Sequence, residues 1–276
     1  MKTIGVIPNT LKDKDLARTN ELVRRISQSG RVPLLTGGIK AAGAETVPPE
    51  EFYRLCDMIA VLGGDGTILR AAKQAAAQNK PILGINLGGL GYLTDVDGHR
   101  GVSALESVFA GNYKSEKRMM LSLDNDSTAL NDVCVSRGVF TKLISIEIYV
   151  NGEYVDTVRA DGLIAATPTG STAYNLSAGG PILKPDSEMI AITAICPHEL
   201  LHRPWVVSAR DVISLRVAGK TPGALVSLDG QPHAEISAGR ELTIRRSEHY
   251  TTILKTSGLS FYEILRGKMG VCGIER

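Results

Sequence analysis

Several absences narrow the class of this chain before any motif is read. Its four cysteines, Cys56, Cys134, Cys196 and Cys272, lie far apart and form no C-x-x-C pair. Each sits beside apolar residues, so buried free thiols in a reducing compartment are expected. No apolar run approaches membrane-spanning length. The opening Met1-Lys2-Thr3-Ile4-Gly5-Val6-Ile7-Pro8-Asn9 turns polar too soon for a signal peptide. Charge is nearly balanced at +2, so nothing advertises a nucleic acid or an anionic membrane as partner, although a local basic pocket for a phosphorylated ligand is compatible with it. There is no internal repeat, no low-complexity linker, no G-x-G-x-x-G and no Walker A sequence. Gly219-Lys220-Thr221 has the tail of one, but Ser214 stands where its first glycine is needed. A standard Rossmann or P-loop enzyme is thereby disfavoured. With 276 residues, 43% apolar and 22% charged, the chain reads as a soluble cytoplasmic protein with one large core or two modest ones.

The stretch from Asp57 to Arg70 organises what is present. Met58-Ile59-Ala60-Val61-Leu62 reads as a buried strand. It ends in Gly63-Gly64-Asp65-Gly66, and a helix is expected from Ile68 to Gln78. A strand, glycine turn and helix let backbone N–H groups approach a phosphate with no Cβ in the way. Asp65 is the odd residue, because a bare phosphate cradle repels a carboxylate. Two readings stay open: Asp65 takes a proton from a sugar hydroxyl or helps hold a metal, or it caps the helix.

Around this stretch, strands alternate with helices. Residues 3 to 7 and Val32 to Leu35 read as strands, Asp13 to Ser29 as an amphipathic helix, Glu50 to Cys56 as a short helix, and Pro81 to Ile85 as another strand. Gly37 to Pro49 reads as a loop. This order predicts a parallel sheet covered on both faces. A second glycine turn, Asn86 to Asp95, follows a strand like the first, so both should open at the carboxyl edge of the sheet. Near Lys117 the texture changes to strands: Met119–Leu123, Ala129–Val135, Leu143–Val150, Glu153–Arg159, Leu163–Thr167, Val206–Ser208, Val212–Val217, Leu242–Arg246 and Thr251–Thr256. Asn151-Gly152 reads as a primed hairpin turn, and Asp229-Gly230 as another candidate. The fold class expected is an α/β domain with a parallel sheet, residues 1–116, followed by a β-rich domain, residues 117–256. The groove between domains is the default ligand site.

Other clusters each have a plain reading beside a functional one. Asn131-Asp132 could read hydroxyls or a base edge, or simply form a turn. Arg159 and Asp161 bracket a strand end, where an exposed ion pair would carry little weight. Thr167-Pro168-Thr169-Gly170-Ser171-Thr172-Ala173-Tyr174-Asn175-Leu176-Ser177 is a hydroxyl-rich loop leading into a short helix. It could offer N–H groups to an anion and Tyr174 to a base, or its hydroxyls could only cap the helix. His198-Glu199-Leu200-Leu201-His202 fits the zinc-protease pattern H-E-x-x-H. Pro197 and Pro204 confine any helix there to about two turns, and no His or Glu occurs from Ala209 to Ala224 to supply a third ligand.

Taken together, these pieces resemble the NAD kinases. The residues that carry the likeness are Gly63-Gly64-Asp65-Gly66-Thr67, Leu90-Gly91-Tyr92-Leu93-Thr94, Asn131-Asp132, Asp161-Gly162, Thr172 through Pro181, and Asp229-Gly230-Gln231. The first motif is shared with diacylglycerol-type lipid kinases and phosphofructokinases; its combination with the Thr-Ala-Tyr segment is far more specific.

The resemblance implies that ATP donates its terminal phosphate to the 2′-hydroxyl of the adenosine ribose of NAD, giving NADP. It implies Asp65 as proton acceptor, Gly63, Gly64, Gly66 and Thr67 as the phosphate-donor loop, and Gly66 and Arg70 flanking the carboxylate. It further implies dinucleotide binding by Asp65, Gly66, Arg70, Asn131, Asp132, Lys142, Arg159, Asp161, Thr172, Ala173, Tyr174, Asn175, Leu176, Ser177 and Gln231. A divalent metal, Mg²⁺, would bridge the ATP phosphates. A homodimer or homotetramer and a tail, residues 257–276, that returns to the first domain are implied as well. Three positions depart from the family pattern: Asp132 replaces a common Glu, Tyr92 a frequent Phe, and Lys142 a His. A lipid or sugar kinase, a non-catalytic dinucleotide sensor and a zinc hydrolase are the competing readings.

Overall fold

The computed structural model describes residues 1–89, 91–138, 142–199, 202–218 and 223–270. Leu90, Gly219-Lys220-Thr221 and Cys272 lie outside the described residues. The chain divides into two compact units, Met1–Lys117 with Thr251–Arg276, and Arg118–Tyr250.

In the first unit, β1 (Thr3–Pro8), α1 (Ala17–Gln28), β2 (Val32–Leu35), β3 (Glu45–Thr46), α2 (Pro49–Leu55), β4 (Met58–Gly63), α3 (Asp65–Ala77), β5 (Ile82–Asn86), β6 (Val96–Asp97) and α4 (Gly101–Phe109) follow in order. The sheet is parallel, in the order β5-β4-β1-β2-β3, with Ile4 opposite Met58 and Ile59 opposite Ile82. β4 is buried at every position, as a strand covered on both faces must be. Its core joins Ile4, Val6, Leu62, Leu83 and Ile85 of the strands to Leu22, Val23 and Ile26 of α1 and Leu105 of α4. The glycines in this sheet mark close packing rather than turns. A Cβ on Gly84 would strike Ile68 of α3, and one on Gly63 would strike Thr67.

The starts of α1 and α3 differ by three residues or more from the sequence reading, and that of α2, at Pro49, by one. α1 begins at Ala17 rather than Asp13, because Asp13 works from outside as a cap. Its carboxylate accepts the Arg18 N–H at 3.2 Å, the Thr19 N–H at 2.9 Å and the Thr19 hydroxyl at 2.6 Å, satisfying donors that the first turn leaves free. α3 begins at Asp65, three residues before Ile68, after Gly64 in extended conformation. An acidic residue in the first turn is favoured there by the helix dipole.

The second unit is antiparallel throughout. After α4 the chain continues with β7 (Lys114–Leu123), β8 (Ser127–Ala129), β9 (Asp132–Ser136), β10 (Ile144–Val150), β11 (Glu153–Ala160), β12 (Gly162–Ala166), α5 (Tyr174–Ser177), β13 (Met189–Ile195), β14 (Trp205–Ser208), β15 (Ile213–Ala218), β16 (Ala224–Leu228), β17 (Gln231–Ile236), β18 (Glu241–Lys255) and α6 (Phe261–Lys268). One sheet has the order β14-β13-β12-β9-β16-β17, and a second ladder runs β11-β10-β15-β18. Alternate residues of both, among them Val133, Val135, Leu163, Ile144, Ile146, Leu215 and Ile244, interdigitate in one core. Asn151 and Gly152 both have positive φ, as do Asp229 and Gly230, the backbone that primed hairpin turns demand.

Three more expectations are corrected here. Ala129–Val135 is broken at Leu130-Asn131 into β8 and β9. Leu242–Arg246 and Thr251–Thr256 are one strand of 15 residues. Its pairing changes midway, from β15 (Ile213 opposite Ile244) to β5 (Ile82 opposite Ile253), so a single alternation does not run its length. Cys56 and Cys134 are buried, but Cys196 is exposed. Among the described residues, no helix is long and apolar enough to cross a membrane.

Candidate active site

The two glycine turns of the first unit are tied together by Asp65. Its carboxylate does not cap its own helix. Oδ2 accepts the Tyr92 N–H at 2.8 Å, and Oδ1 accepts the Leu93 and Thr94 N–H groups at 3.1 and 3.2 Å. An ionised carboxylate has about four lone-pair directions, so three bonds fix its orientation and leave one direction on Oδ2 open. Gly91 is required by this contact, since a Cβ there would collide with both carboxylate oxygens. Around it the second turn is braced from within. The Asn86 amide donates to the Gly89 carbonyl and, at 3.0 Å, to the Thr94 hydroxyl, and its oxygen accepts the Gly88 N–H at 2.8 Å.

Behind that turn, Asp95 is 2% exposed and ties the loop to the segment after β18. Its carboxylate accepts the N–H and hydroxyl of Thr256 at 2.6 and 2.7 Å, and those of Ser257 at 3.1 and 2.9 Å. Thr67 is buried. Its hydroxyl accepts from the Asn9 amide at 3.2 Å and from Arg70 at 3.4 Å, so Arg70 stays beside the helix start. Gly64 is partly exposed and Gly66 exposed.

In the second unit the loop before β9 is held by a carboxylate 98 residues later. Asp229 accepts the N–H groups of Leu130, Asn131 and Asp132 at 2.9, 2.6 and 3.2 Å. The hairpin residue is therefore an anchor as well as a turn. Asp132, 4% exposed, is pushed up to about 7 by burial, with the nearby Asp229 adding to the effect. Burial also raises Asp229, against the opposing pull of its three N–H donors.

The hydroxyl-rich loop spends most of its polar atoms on itself. The Thr167 hydroxyl donates to the Leu130 carbonyl at 2.6 Å and accepts the Gly170 N–H at 3.0 Å. Gly170 packs directly on the Asn131 backbone, where a Cβ would not fit. Asn175, assigned to ligand contact from the sequence, is fully buried. Its amide donates to the carbonyls of Ser171 and Pro181 at 3.1 and 3.0 Å, and its oxygen accepts the Thr193 hydroxyl at 2.7 Å. It shapes the loop from within. Tyr174, by contrast, is 48% exposed at the start of α5. Burial raises its phenol, with smaller contributions from Cys134, Cys196, Asp161 and Asp132. Thr172, Ala173 and Leu176 are partly exposed and Ser177 exposed.

The remaining candidates divide. Asp161 pairs with Arg137 at 2.6 Å, not with Arg159. The exposed Arg159 offers its carbonyl to the His198 N–H at 2.8 Å. Lys142 and Gln231 are exposed. The H-E-x-x-H segment is not a helix over Pro197–Glu199, Leu200 and Leu201 lie outside the described residues, and His202 faces Asp156 at 3.8 Å. Sequence reasoning missed the anchoring by Asp229, the Arg137 partner and the Asn9–Thr67 tie. The Asp-Gly turn was the one local signal for the first of these.

Comparison with known proteins gives this geometry a family. Residues 4–113 match the ATP-NAD kinase N-terminal domain, and residues 130–256 match the ATP-NAD kinase C-terminal domain. The NAD kinase of Caldanaerobacter subterraneus subsp. tengcongensis is 44% identical over 280 residues, covering 98% of this chain and 99% of its own. That of Geobacter metallireducens is 38% identical, covering 98% of each. Among solved structures, yeast NADH kinase complexed with NADH superposes with a TM-score of 0.86 at 24% identity, over 100% of this chain and 89% of its own, a likeness of fold. An NAD kinase from Archaeoglobus fulgidus in complex with ATP superposes with a TM-score of 0.77 at 29% identity, over 98% of this chain and 100% of its own. An α/β unit with a carboxylate at a glycine turn, joined in one chain to an antiparallel β unit, defines a class of nucleotide kinases built without a Walker loop. Within that class, the chain belongs to the NAD kinase family.

Proposed function

We propose that Asp65 is the general base in the family reaction, phosphorylation of NAD by ATP to give NADP. The observation that carries this reading is the clamping of its carboxylate by three backbone N–H groups, which leaves one lone pair of Oδ2 free. A ribose hydroxyl is a weak nucleophile, and a fixed acceptor within hydrogen-bond reach speeds its attack. As the 2′-oxygen bonds to the γ-phosphorus, the bond to the bridging oxygen breaks, ADP keeps the electron pair, and the hydroxyl proton goes to Asp65. Phosphoryl transfer asks the protein for positioning and charge neutralisation. Gly64 and Gly66 supply the open backbone for the donor phosphates, with Gly63 and Thr67 packed behind them to set the turn, and Arg70 balances their charge.

The dinucleotide is assigned to the second unit. Asn131 and Asp132 are held in place by Asp229, Tyr174 offers a ring face, and Thr172, Ala173, Leu176, Ser177, Lys142, Arg159, Asp161 and Gln231 complete the contacts. Asn175 acts by setting the loop. A divalent metal, Mg²⁺, belongs to this reading and would neutralise phosphate charge. Among the described residues no group of three or more His, Cys, Asp or Glu could hold a metal ion. Assembly into a dimer or tetramer is part of the same reading, supported by the edge strand β14, where Trp205 and Val206 are 45% and 44% exposed. A cytoplasmic location accords with the substrates.

The test is Asp65→Asn, assayed with NAD, ATP and Mg²⁺ by an NADP-specific readout. We expect kcat to fall about 10³-fold while NAD binding by calorimetry stays within about twofold. An Asp65→Asn enzyme within about tenfold of the parent would remove the assigned role.

A further inference from the structure

A nucleotide kinase without a Walker loop still needs a positive charge against the donor phosphates, and Arg70 is drawn toward Thr67 by its own hydrogen bond. A second cation stands in front of both glycine turns. The Lys12 ammonium lies 3.5 Å from the point where a side chain would begin at Gly64 and 3.4 Å from the same point at Gly88. Both turns reach it with bare backbone. Lys12 itself is exposed, and among the described residues no carboxylate pairs with it.

Its position is built rather than incidental. The turn that carries it is closed by Lys12 N–H and Asp13 N–H donating to the Asn9 carbonyl at 3.0 and 2.9 Å. The Asn9 N–H in turn donates to Leu62 of β4 at 2.7 Å. The Asn9 side chain accepts the Leu11 N–H at 3.1 Å and donates to Thr67 of α3 at 3.2 Å. On its far side, Asp13 caps α1. The backbone at Lys12 is thus moored to the strand and the helix that bracket Gly63-Gly64, while the ammonium at the end of its side chain stays free.

We propose that Lys12 is a catalytic residue of the kinase reaction, contacting the terminal phosphates of ATP and neutralising the charge that gathers on the departing diphosphate as the γ-phosphorus moves to the ribose oxygen. This inference rests on the assignment of the donor phosphates to the glycine turns. A lysine is a compact point charge with three donors on a mobile stem, and that suits it to follow a phosphate whose charge shifts during transfer. The backbone N–H groups of a turn cannot move in that way.

The experiment compares Lys12→Gln, Lys12→Arg and Gly64→Ala by steady-state kinetics with ATP and NAD varied in turn. Gly64→Ala places a methyl group in the space the ammonium faces. We expect Lys12→Gln to lower kcat/KM for ATP about 100-fold, with KM for NAD within about twofold, and Lys12→Arg to regain at least tenfold of that loss. If Gly64→Ala cripples ATP use while Lys12→Gln stays within threefold of the parent, the role of Lys12 is overturned and the donor turn stands. An arginine variant no better than the glutamine one also overturns it, because charge is then not the cause. If neither Lys12→Gln nor Gly64→Ala changes kcat/KM for ATP, the donor assignment fails and takes this inference with it.

Discussion

Asp65 and Asp229, one in each unit, are held in the same way. Each accepts three consecutive backbone N–H groups from a loop far away in the chain, residues 92–94 for the first and 130–132 for the second. Their surroundings differ. Asp65 is partly exposed beside a loop of glycines, with one acceptor direction of Oδ2 left over by its three N–H donors. Asp229, also partly exposed, lies next to the buried carboxylate of Asp132, and burial pushes both members of that pair toward the neutral form. The same local device therefore serves opposite ends. In the proposed mechanism it aims a carboxylate at chemistry in one unit; in the other it uses a carboxylate to fix a loop. Environment, not residue type, decides between proton acceptor and brace.

The comparison can be broken most severely at Gly91. An Ala there would push into the Asp65 carboxylate and turn it away from its three donors. We expect kcat to fall about 100-fold, with KM for NAD within about threefold and little change in melting temperature. A fully active Gly91→Ala enzyme would mean that the aim of Asp65 is unimportant. The matching change in the other unit is Asp229→Ala, which strips the acceptor from Leu130, Asn131 and Asp132. Its effect should be smaller on kcat and should fall on binding. We expect KM for NAD to rise about tenfold and stability to drop by about 2–4 kcal/mol, read by kinetics and urea denaturation. A loss confined to kcat would contradict the brace.

The mildest test is the pH dependence of stability. Folded Asp132 keeps its proton up to about 7, whereas an unfolded chain releases it near pH 4. Stability from this group is complete below about pH 4 and is lost as pH rises through about 7. Asp132→Asn should flatten that decline. Between pH 5 and pH 8 the parent should lose on the order of 1–3 kcal/mol relative to the variant in chemical denaturation. Parallel profiles would show that Asp132 is ionised in the folded protein.

Much of this was legible in the residues. The apolar run at Met58–Leu62 and the glycines after it located β4 and its turn, and Asn151-Gly152 announced a hairpin, because these signals lie within a few neighbours. What could not be read was long-range. Nothing near Asp65 says that its carboxylate would leave its own helix for N–H groups 27 to 29 positions away. Asp229 looked like one more Asp-Gly turn until its oxygens met the loop at Leu130. Asn175 sits in a hydroxyl-rich motif that the resemblance assigns to the dinucleotide, and nothing near it says that Thr193, from a distant strand, would donate to its side chain. In α1 the cap stood four residues outside the helix, and that shifted the apparent start.

The clip between Asp95 and Thr256-Ser257 bears on how the protein is made. The ribosome delivers the second glycine turn more than 160 residues before the segment that fastens it. The first unit therefore waits, with β5 lacking its β18 neighbour, while the whole antiparallel unit emerges and can close. Synthesis from the N-terminus would ordinarily complete the leading domain first; here the domain that starts first is finished last.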